Sequence, residues 1–388
     1  MKSEKIFRVC YFGTYREEYS RNRIMIDSLR SNGVDVRECH QSLWKGEDDR
    51  VTVMKGGWKN LQFWKRLVLA YVRLLIKYLK EENYDVMVIG YPGQFDVYLA
   101  RVLSWLRGKP LVWDVFMSVF LIASERGLER KNWIMMNLLR WIEWLGLRLP
   151  DLLIQDTPDY VTWFCNTYGL PADRFRLVPT GADDRIFKPI ERINGDNNPF
   201  RVVYYGTFIP NHGVSKIIEA ARLLEAEADI HFELIGSGPE LPIAKELVKA
   251  YDMKNVAFLD WLDKPALVQR VGTADLLLGA FGNTPQSLMT VQNKIYEGFA
   301  MKKPVISGDS PTVRSSFEHR KQLFLVDRDD PASLADAILT LKKDPQLRRD
   351  LACEGYKIFK NKYSLDSLGL AWKLILLGVA RNSVENEH

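Results

Sequence analysis

The stretch Thr290-Val-Gln-Asn-Lys-Ile-Tyr-Glu-Gly-Phe-Ala-Met-Lys-Lys-Pro-Val-Ile-Ser307 reads as a short helix, a break at Pro304 and a buried apolar strand at Val305-Ile306. The helix carries Asn293, Lys294 and Glu297. Asn293 and Glu297 are four apart and share a helix face, and Lys294 precedes the carboxylate by three. Such a carboxylate accepts hydrogen bonds from a diol, while a lysine near a helix start attracts a phosphate. Charge pairs of this kind are common on surface helices. The surrounding chain decides what this one means.

Upstream, Phe200-Arg-Val-Val-Tyr-Tyr-Gly206 is a strand that ends in a glycine loop, Gly206-Thr207 to His212-Gly213, before a helix. Backbone N–H groups at such a helix start can cradle a diphosphate. His231-Phe-Glu-Leu-Ile-Gly-Ser-Gly-Pro239 repeats the strand and glycine turn, with Gly236 and Gly238. Further strands are expected at Val256-Ala-Phe-Leu-Asp260 and in residues 274–282, with a loop over 282–290 leading to the Glu297 helix. The first half alternates in the same way. Arg8-Val-Cys-Tyr-Phe-Gly13 is a strand, residues 19–32 a helix stopped by Gly33, and Val34-Asp-Val36 the next strand. Tyr84-Asp-Val-Met-Val-Ile-Gly-Tyr91, Lys109-Pro-Leu-Val-Trp-Asp114 and Asp151-Leu-Leu-Ile-Gln-Asp-Thr157 follow, the last entering a helix capped by Asp156 or Thr157. In open sheets of this kind ligands bind beyond the carboxyl ends of strands. That places Gly13, Thr14, Arg16, Asp114 and Ser118 among the candidate site residues.

The 388 residues are too many for one ordinary core and predict two domains. Four scattered cysteines without paired spacing argue against a zinc site or a disulfide framework. The first residues run directly into a strand, so no signal peptide is expected. Arg73, Arg140 and Glu143 interrupt the most apolar runs, so no membrane span is expected either. Net charge is +5, and the excess of Lys and Arg lies before residue 189. Aromatic and basic residues fall on helices rather than strand faces, which disfavours nucleic acid as a partner. Residues 58–80 hold no acidic residue between Gly56 and Glu81. On a helix Lys59, Arg66, Arg73, Lys77 and Lys80 form a stripe beside Phe63, Trp64 and Leu67. Residues 133–149 carry Trp133, Trp141 and Trp144. Both segments read equally as core helices with solvated faces and as a cationic, aromatic surface for an anionic bilayer.

The string Asn293-Lys-Ile-Tyr-Glu-Gly-Phe-Ala-Met-Lys-Lys-Pro-Val-Ile306 resembles the nucleotide-sugar segment of retaining glycosyltransferases of family 4, which have the GT-B fold. Arg176-Leu-Val-Pro-Thr-Gly-Ala-Asp183 with Phe187 and Pro189 is similar to the string that closes the family's first domain, and a polar linker follows over 191–199. The resemblance implies an α/β protein of two Rossmann-like doubly wound domains facing a central cleft. Residues 1–190 would bind the acceptor, 191–365 the nucleotide sugar, and 366–388 would form a helix returning to the first domain. It implies that Glu297 binds the donor ribose. The family's second acidic residue, eight positions earlier, is Met289 here, and Gly206-Thr207 with His212-Gly213 stand where two phosphate-binding cations are usual. Phe116 stands where many members have a histidine.

The candidate donor-binding residues are Gly13, Thr14, Gly206, Thr207, His212, Gly213, Gly236, Gly238, Asn293, Lys294 and Glu297. His212, Asp114 and Lys294 are the catalytic candidates, and Arg16 and Ser118 lie on the acceptor side. The expected activity is retaining transfer of a sugar from a nucleotide-diphosphate sugar to a hydroxyl of a lipid-linked or cell-surface glycan precursor. No cofactor or metal is expected, and the expected location is cytoplasmic, peripheral on the inner face of the cell membrane. A nucleotide-sugar epimerase on the same fold and a non-catalytic, membrane-docked sugar-nucleotide binder are the rival readings.

Overall fold

The computed structural model describes residues 6–43, 61–128, 132–190 and 199–385. Trp58, Lys59 and residues 191–198 of the expected linker lie outside them. The chain forms two compact units, one of Met1–Pro179 with Leu368–His388 and one of Thr180–Ser367.

The first unit runs β1 (Arg8–Gly13), α1 (Ser20–Ser31), β2 (Asp35–His40), α2 (Leu61–Leu79), β3 (Val86–Ile89) and α3 (Asp96–Leu106). It continues through β4 (Leu111–Asp114), α4 (Val119–Glu125), α5 (Trp133–Gly146), β5 (Leu152–Gln155), α6 (Pro158–Tyr168) and β6 (Phe175–Leu177). All six strands are parallel in the order β2-β1-β3-β4-β5-β6. A parallel sheet is covered on both faces, so its strands are apolar throughout rather than alternating. Val86–Ile89 is buried at every position for that reason. The order reverses between β1 and β3, which makes the ends of those strands the unit's switch point. Thr157, rather than Asp156, caps α6, its hydroxyl accepting from Tyr160 N.

The second unit runs β7 (Phe200–Tyr205), α7 (Val214–Leu223), β8 (Ile230–Ile235), α8 (Leu241–Ala250), β9 (Val256–Leu259), α9 (Lys264–Gly272) and β10 (Leu276–Leu278). It then runs α10 (Pro285–Met289), α11 (Asn293–Ala300), β11 (Val305–Gly308), α12 (Pro311–Ser316), β12 (Phe324–Val326), α13 (Pro331–Lys343) and α14 (Pro345–Lys362). Its parallel order is β12-β11-β10-β7-β8-β9, with the reversal between β7 and β10. Side chains alternate along β7: Val202 and Tyr204 enter one core layer, Val203 and Tyr205 the other. The residues expected to be a loop over 282–290 contain α10, because Thr284 Oγ1 accepts from Ser287 N and starts a helical turn.

The chain passes into the second unit at Pro179–Thr180, ahead of the expected boundary at 190. The physical reason is that Ala182 and Phe187 already belong to the second unit's core, and Ile190 packs on Gly272. The last helix, α15 (Leu365–Glu385), carries the chain back into the first unit from Leu368. Gly369 lies against Ser28 O, and Lys373 Nζ donates to Asn32 O at 2.8 Å. By length and composition a stretch within Pro345–Asn382 is apolar enough to cross a membrane, which corrects the expectation that no such run exists. Here that segment is two helices, and Leu365, Leu368, Trp372 and Leu376 are buried in protein.

Candidate functional site

Three strand-end loops meet beyond the switch point of the second unit, and their meeting depends on glycine. A methyl group on Gly236 would lie 2.1 Å from Gly206 O, so the turn after β8 rests directly on the turn after β7. Likewise a methyl on Gly213 would meet Phe281 C and Gly282 N at 2.6 Å, where the loop after β10 crosses. Gly238 abuts the backbone of Phe208. The predicted glycines therefore shape the site through close backbone approach.

Gly236→Ala is expected to force these turns apart and to weaken nucleoside diphosphate binding by about tenfold or more, because the added atom meets backbone that cannot rotate away. Gly33→Ala is the contrast, since its added methyl meets nothing within 4 Å and its φ of +73° lies in the left-handed well, whereas Gly236 at φ +134° adds conformational strain to the backbone clash. Calorimetric titration of both variants checks this: equal affinities would remove the contact.

Within this frame Thr207, His212, Lys294 and Glu297 come together. His212 Nδ1 lies 2.6 Å from Thr207 O and 2.9 Å from the Tyr204 hydroxyl. A carbonyl only accepts, so Nδ1 carries the proton and Nε2 is left as an acceptor. Burial and the nearby Lys294 charge hold the imidazole well below its ordinary pKa, so His212 is neutral rather than a titrating cation. Lys294, in the first turn of α11, extends to the end of β7. Its Nζ stands 4.3 Å from the Tyr204 ring centroid, and a methyl on Gly206 would lie 2.9 Å from it. Lys294 is buried and its Nζ has no hydrogen-bond partner. Burial pushes its ammonium down to about 7, and Glu297 restores only part of the shift.

Glu297 sits in the second turn of α11 rather than at the helix start. Tyr205 donates to its Oε2 at 2.7 Å. Burial pushes its carboxyl up, opposed by the Tyr205 bond and by the Lys264 and Lys294 charges. Gly298 lets α11 lie close on the sheet, since a methyl there would meet Val305 Cγ2 at 2.7 Å. Asn293 opens α11 and is half-buried.

The remaining candidates lie in the first unit, and several are occupied by structural bonds. Gly13 ends β1 with its Cα against the Asp96 carboxylate. Thr14 gives its N–H to Asp96 Oδ2 at 2.7 Å and its hydroxyl to Asp96 Oδ1 at 3.0 Å. Asp114 is fully buried, with both oxygens held by Arg21 at 2.9 Å, so it acts as the partner of an interior cation. Ser118 caps α4 by accepting from Leu121 N, and its hydroxyl donates to the buried Glu143. Asp114 and Ser118 therefore serve the fold of this unit. Arg16 is half-buried beside the Tyr19 ring. Phe116, at a φ of +55°, packs edge-on to Tyr91. A bulky residue in that region is strained, and strain of this kind collects at ligand sites.

The sequence reading missed Arg328. It follows β12 and is buried, and among the described residues no carboxylate oxygen bonds its guanidinium, although the Asp309 charge acts on it. It donates instead to Asp309 O at 2.6 Å, Gly282 O at 2.7 Å, Ser287 Oγ at 3.0 Å and Gly308 O at 3.1 Å. These bonds tie the loop after β10 to the end of β11, and burial pushes the guanidinium down to about 10. The string Asp327-Arg328-Asp329 was its visible signal. Its two carboxylates are exposed, and Asp327 Oδ1 accepts from Asp329 N in the turn before α13.

Comparison with known proteins bears on the family and the fold. The Glycosyltransferase Family 4 model matches residues 23–185, and the Glycosyl transferases group 1 model matches residues 199–344. The chain is 24% identical over 280 residues to an alpha-D-kanosaminyltransferase of Streptomyces kanamyceticus, covering 69% of this chain and 70% of that one. It is 26% identical over 166 residues to a lipopolysaccharide core biosynthesis glycosyltransferase of Rhizobium meliloti (strain 1021), covering 42% of this chain and 46% of that one. Among solved structures, Anabaena HepE in complex with UDP-glucose superposes with a TM-score of 0.66 at 16% identity, over 96% of this chain and 99% of that one. Sucrose-phosphate synthase from Thermosynechococcus elongatus superposes with a TM-score of 0.72 at 16% identity, over the same shares. The two family matches between them take in most of both units and every described strand but β1, and the chain belongs to the GT-B glycosyltransferases of the family 4 and group 1 type.

Proposed function

We propose that this glycosyltransferase moves a sugar from a nucleotide-diphosphate donor, bound by the second unit, to an acceptor hydroxyl with retention of anomeric configuration. The observation that carries the reading is the buried Lys294 ammonium with no partner, set beside Glu297 at the end of the central strand β7. A buried ammonium with no hydrogen-bond partner, offset only in part by Glu297, is costly unless the functional state supplies an anion. A diphosphate at the glycine turns brings one, next to the start of α7, which no side chain caps. Tyr205 holds Glu297 Oε2, which leaves Oε1 to accept from a ribose hydroxyl. HepE, crystallised with UDP-glucose, shares the fold, which supports a nucleotide-sugar ligand.

In this reading the bond from the anomeric carbon to the diphosphate oxygen breaks, and the acceptor oxygen bonds to the same face of that carbon. The acceptor proton passes to the departing diphosphate. Lys294 offsets the charge that develops on the leaving oxygen, and the neutral His212 fixes the Gly206–Gly213 turn that lines the site. No metal enters the reaction. The acceptor is a lipid-linked or cell-surface glycan precursor met at a membrane surface.

The test is proton NMR of the product formed from an accepted donor and a lipid-linked acceptor fraction. The donor's own anomeric configuration is expected in the product. An inverted product contradicts the mechanism, and donor turnover without an acceptor points to an epimerase.

A further inference from the structure

We propose that the outward face of α2, α3 and α5 is a docking surface for an anionic bilayer leaflet. This deepens the reading above by naming the partner that presents the acceptor. The three helices lie side by side in one layer on the first unit's sheet. Tyr71 of α2 donates to Asp96 of α3 at 2.7 Å, Tyr78 donates to Leu103 O at 3.0 Å, and Tyr98 of α3 donates to Ile142 O of α5 at 2.6 Å. Their inward residues, such as Leu74, Ala100 and Met136, fill the core. The outward side of a surface helix is ordinarily polar. Here it is apolar on all three helices: Trp105 is 71% exposed, Trp133 69% and Trp141 64%, and Ile76 of α2 is half exposed. The sequence pointed to the segments that hold α2 and α5. Only the fold places Trp105 of α3 between them.

Charge selects the occupant. Among the described side chains of these helices, the acidic ones are Asp96 and Glu143, and both are buried and hydrogen-bonded inside the unit. The charges that reach the surface are basic, with Arg73 and Lys77 on α2 and Arg140 on α5. Large apolar side chains exposed on three neighbouring helices are rare on a protein that works free in solution. Tryptophans at the level of lipid headgroups with lysine and arginine among them are the composition of an interfacial surface. A second copy of the chain fits poorly, because pairing this face with itself would bring arginines and lysines together without a carboxylate between them.

The test uses the full chain and vesicles of phosphatidylcholine with and without phosphatidylglycerol, read by co-sedimentation and tryptophan emission with no donor or acceptor present. Binding is therefore measured independently of the nucleotide site. The chain is expected to sediment with anionic vesicles and to shift its emission to the blue. Retention should fall by about fivefold for each charge removed in Arg73→Gln and Lys77→Gln. Added salt should weaken it. Trp105→Glu with Trp141→Glu should abolish it. These side chains are mostly exposed, with Trp141 edge-on to Trp144, and an unchanged melting temperature in the variants confirms that the fold is kept. No sedimentation at low salt, or retention indifferent to both sets of substitutions, overturns the proposal. So does self-association in lipid-free solution that the tryptophan substitutions abolish, since the face would then join copies of the chain. Failure of vesicle binding with nucleoside diphosphate binding intact removes this inference alone.

Discussion

Lys294→Met is expected to lose nucleoside diphosphate binding and, without ligand, to melt at a higher temperature than the parent. Methionine keeps the length and apolar stem of lysine and removes an ammonium that is buried and unpartnered. Loss of a buried cation facing a phosphate costs about 2–4 kcal/mol, or a factor of about 30 to 1000 in Kd. In the free protein the same cation is a liability, and its removal should raise the melting temperature by about 2–4 °C. The pH dependence follows from the same burial. Between about pH 7 and the ordinary lysine value, the unfolded chain holds a proton on Lys294 that the native chain has released. Parent stability should therefore rise with pH through that window and be flat below it with respect to this group, and the variant should lack the rise. Binding an anion restores the ammonium, so above about pH 7 the parent should take up a proton as nucleoside diphosphate binds. Calorimetry in buffers of different ionisation enthalpy reads that uptake directly. A variant that binds as tightly as the parent would remove Lys294 from the site.

Arg328→Met is expected to be among the most destabilising single changes in the second unit. The guanidinium serves three backbone carbonyls and one hydroxyl, all inside the protein. Methionine fills much of the volume and leaves those acceptors without donors, at a cost of about 3–5 kcal/mol. In a unit of this size that lowers the melting temperature by about 10 °C. Donor binding should also weaken, because the clasped loop leads through α10 into the helix that carries Lys294 and Glu297. Arg314→Met provides the contrast. Arg314 pairs with Asp309 at the surface, where an ion pair contributes about 1 kcal/mol or less. Thermal denaturation of the two variants separates them. Equal melting temperatures would mean that the carbonyl clasp carries no more than a surface pair.

The strands were legible because a doubly covered parallel sheet leaves little freedom of composition. Residues 84–91 and 200–205 read as apolar runs ending at glycine, and the strands fall within them. Lys294 and Glu297 were legible from their spacing on a helix that ends before a proline. The environment of those residues was not. That Lys294 Nζ faces the Tyr204 ring and has no hydrogen-bond partner depends on a residue ninety positions away, and the switch-point geometry depends on which strands become neighbours. Arg21, which the sequence reading did not single out, fills the interior against Asp114, 93 positions further along the chain. Arg328 was passed over because its two neighbouring aspartates are exposed in a turn, although the string they form with it was the one signal in the sequence. Asp114 and Ser118 were placed correctly at strand ends, but position alone cannot tell a ligand-facing group from one held by an internal partner. The short strand β12 and the helix α10 escaped notice because three to five residues carry too little periodicity to register.

The most direct measurement is thermal denaturation of the parent chain and Lys294→Met against UDP, GDP and ADP and their sugars. A nucleotide-sugar site built on Lys294 and Glu297 predicts a selective upward shift of the parent with one nucleotide and little or none in the variant. No shift of the parent with any of these ligands, or the same shift in both proteins, would contradict it.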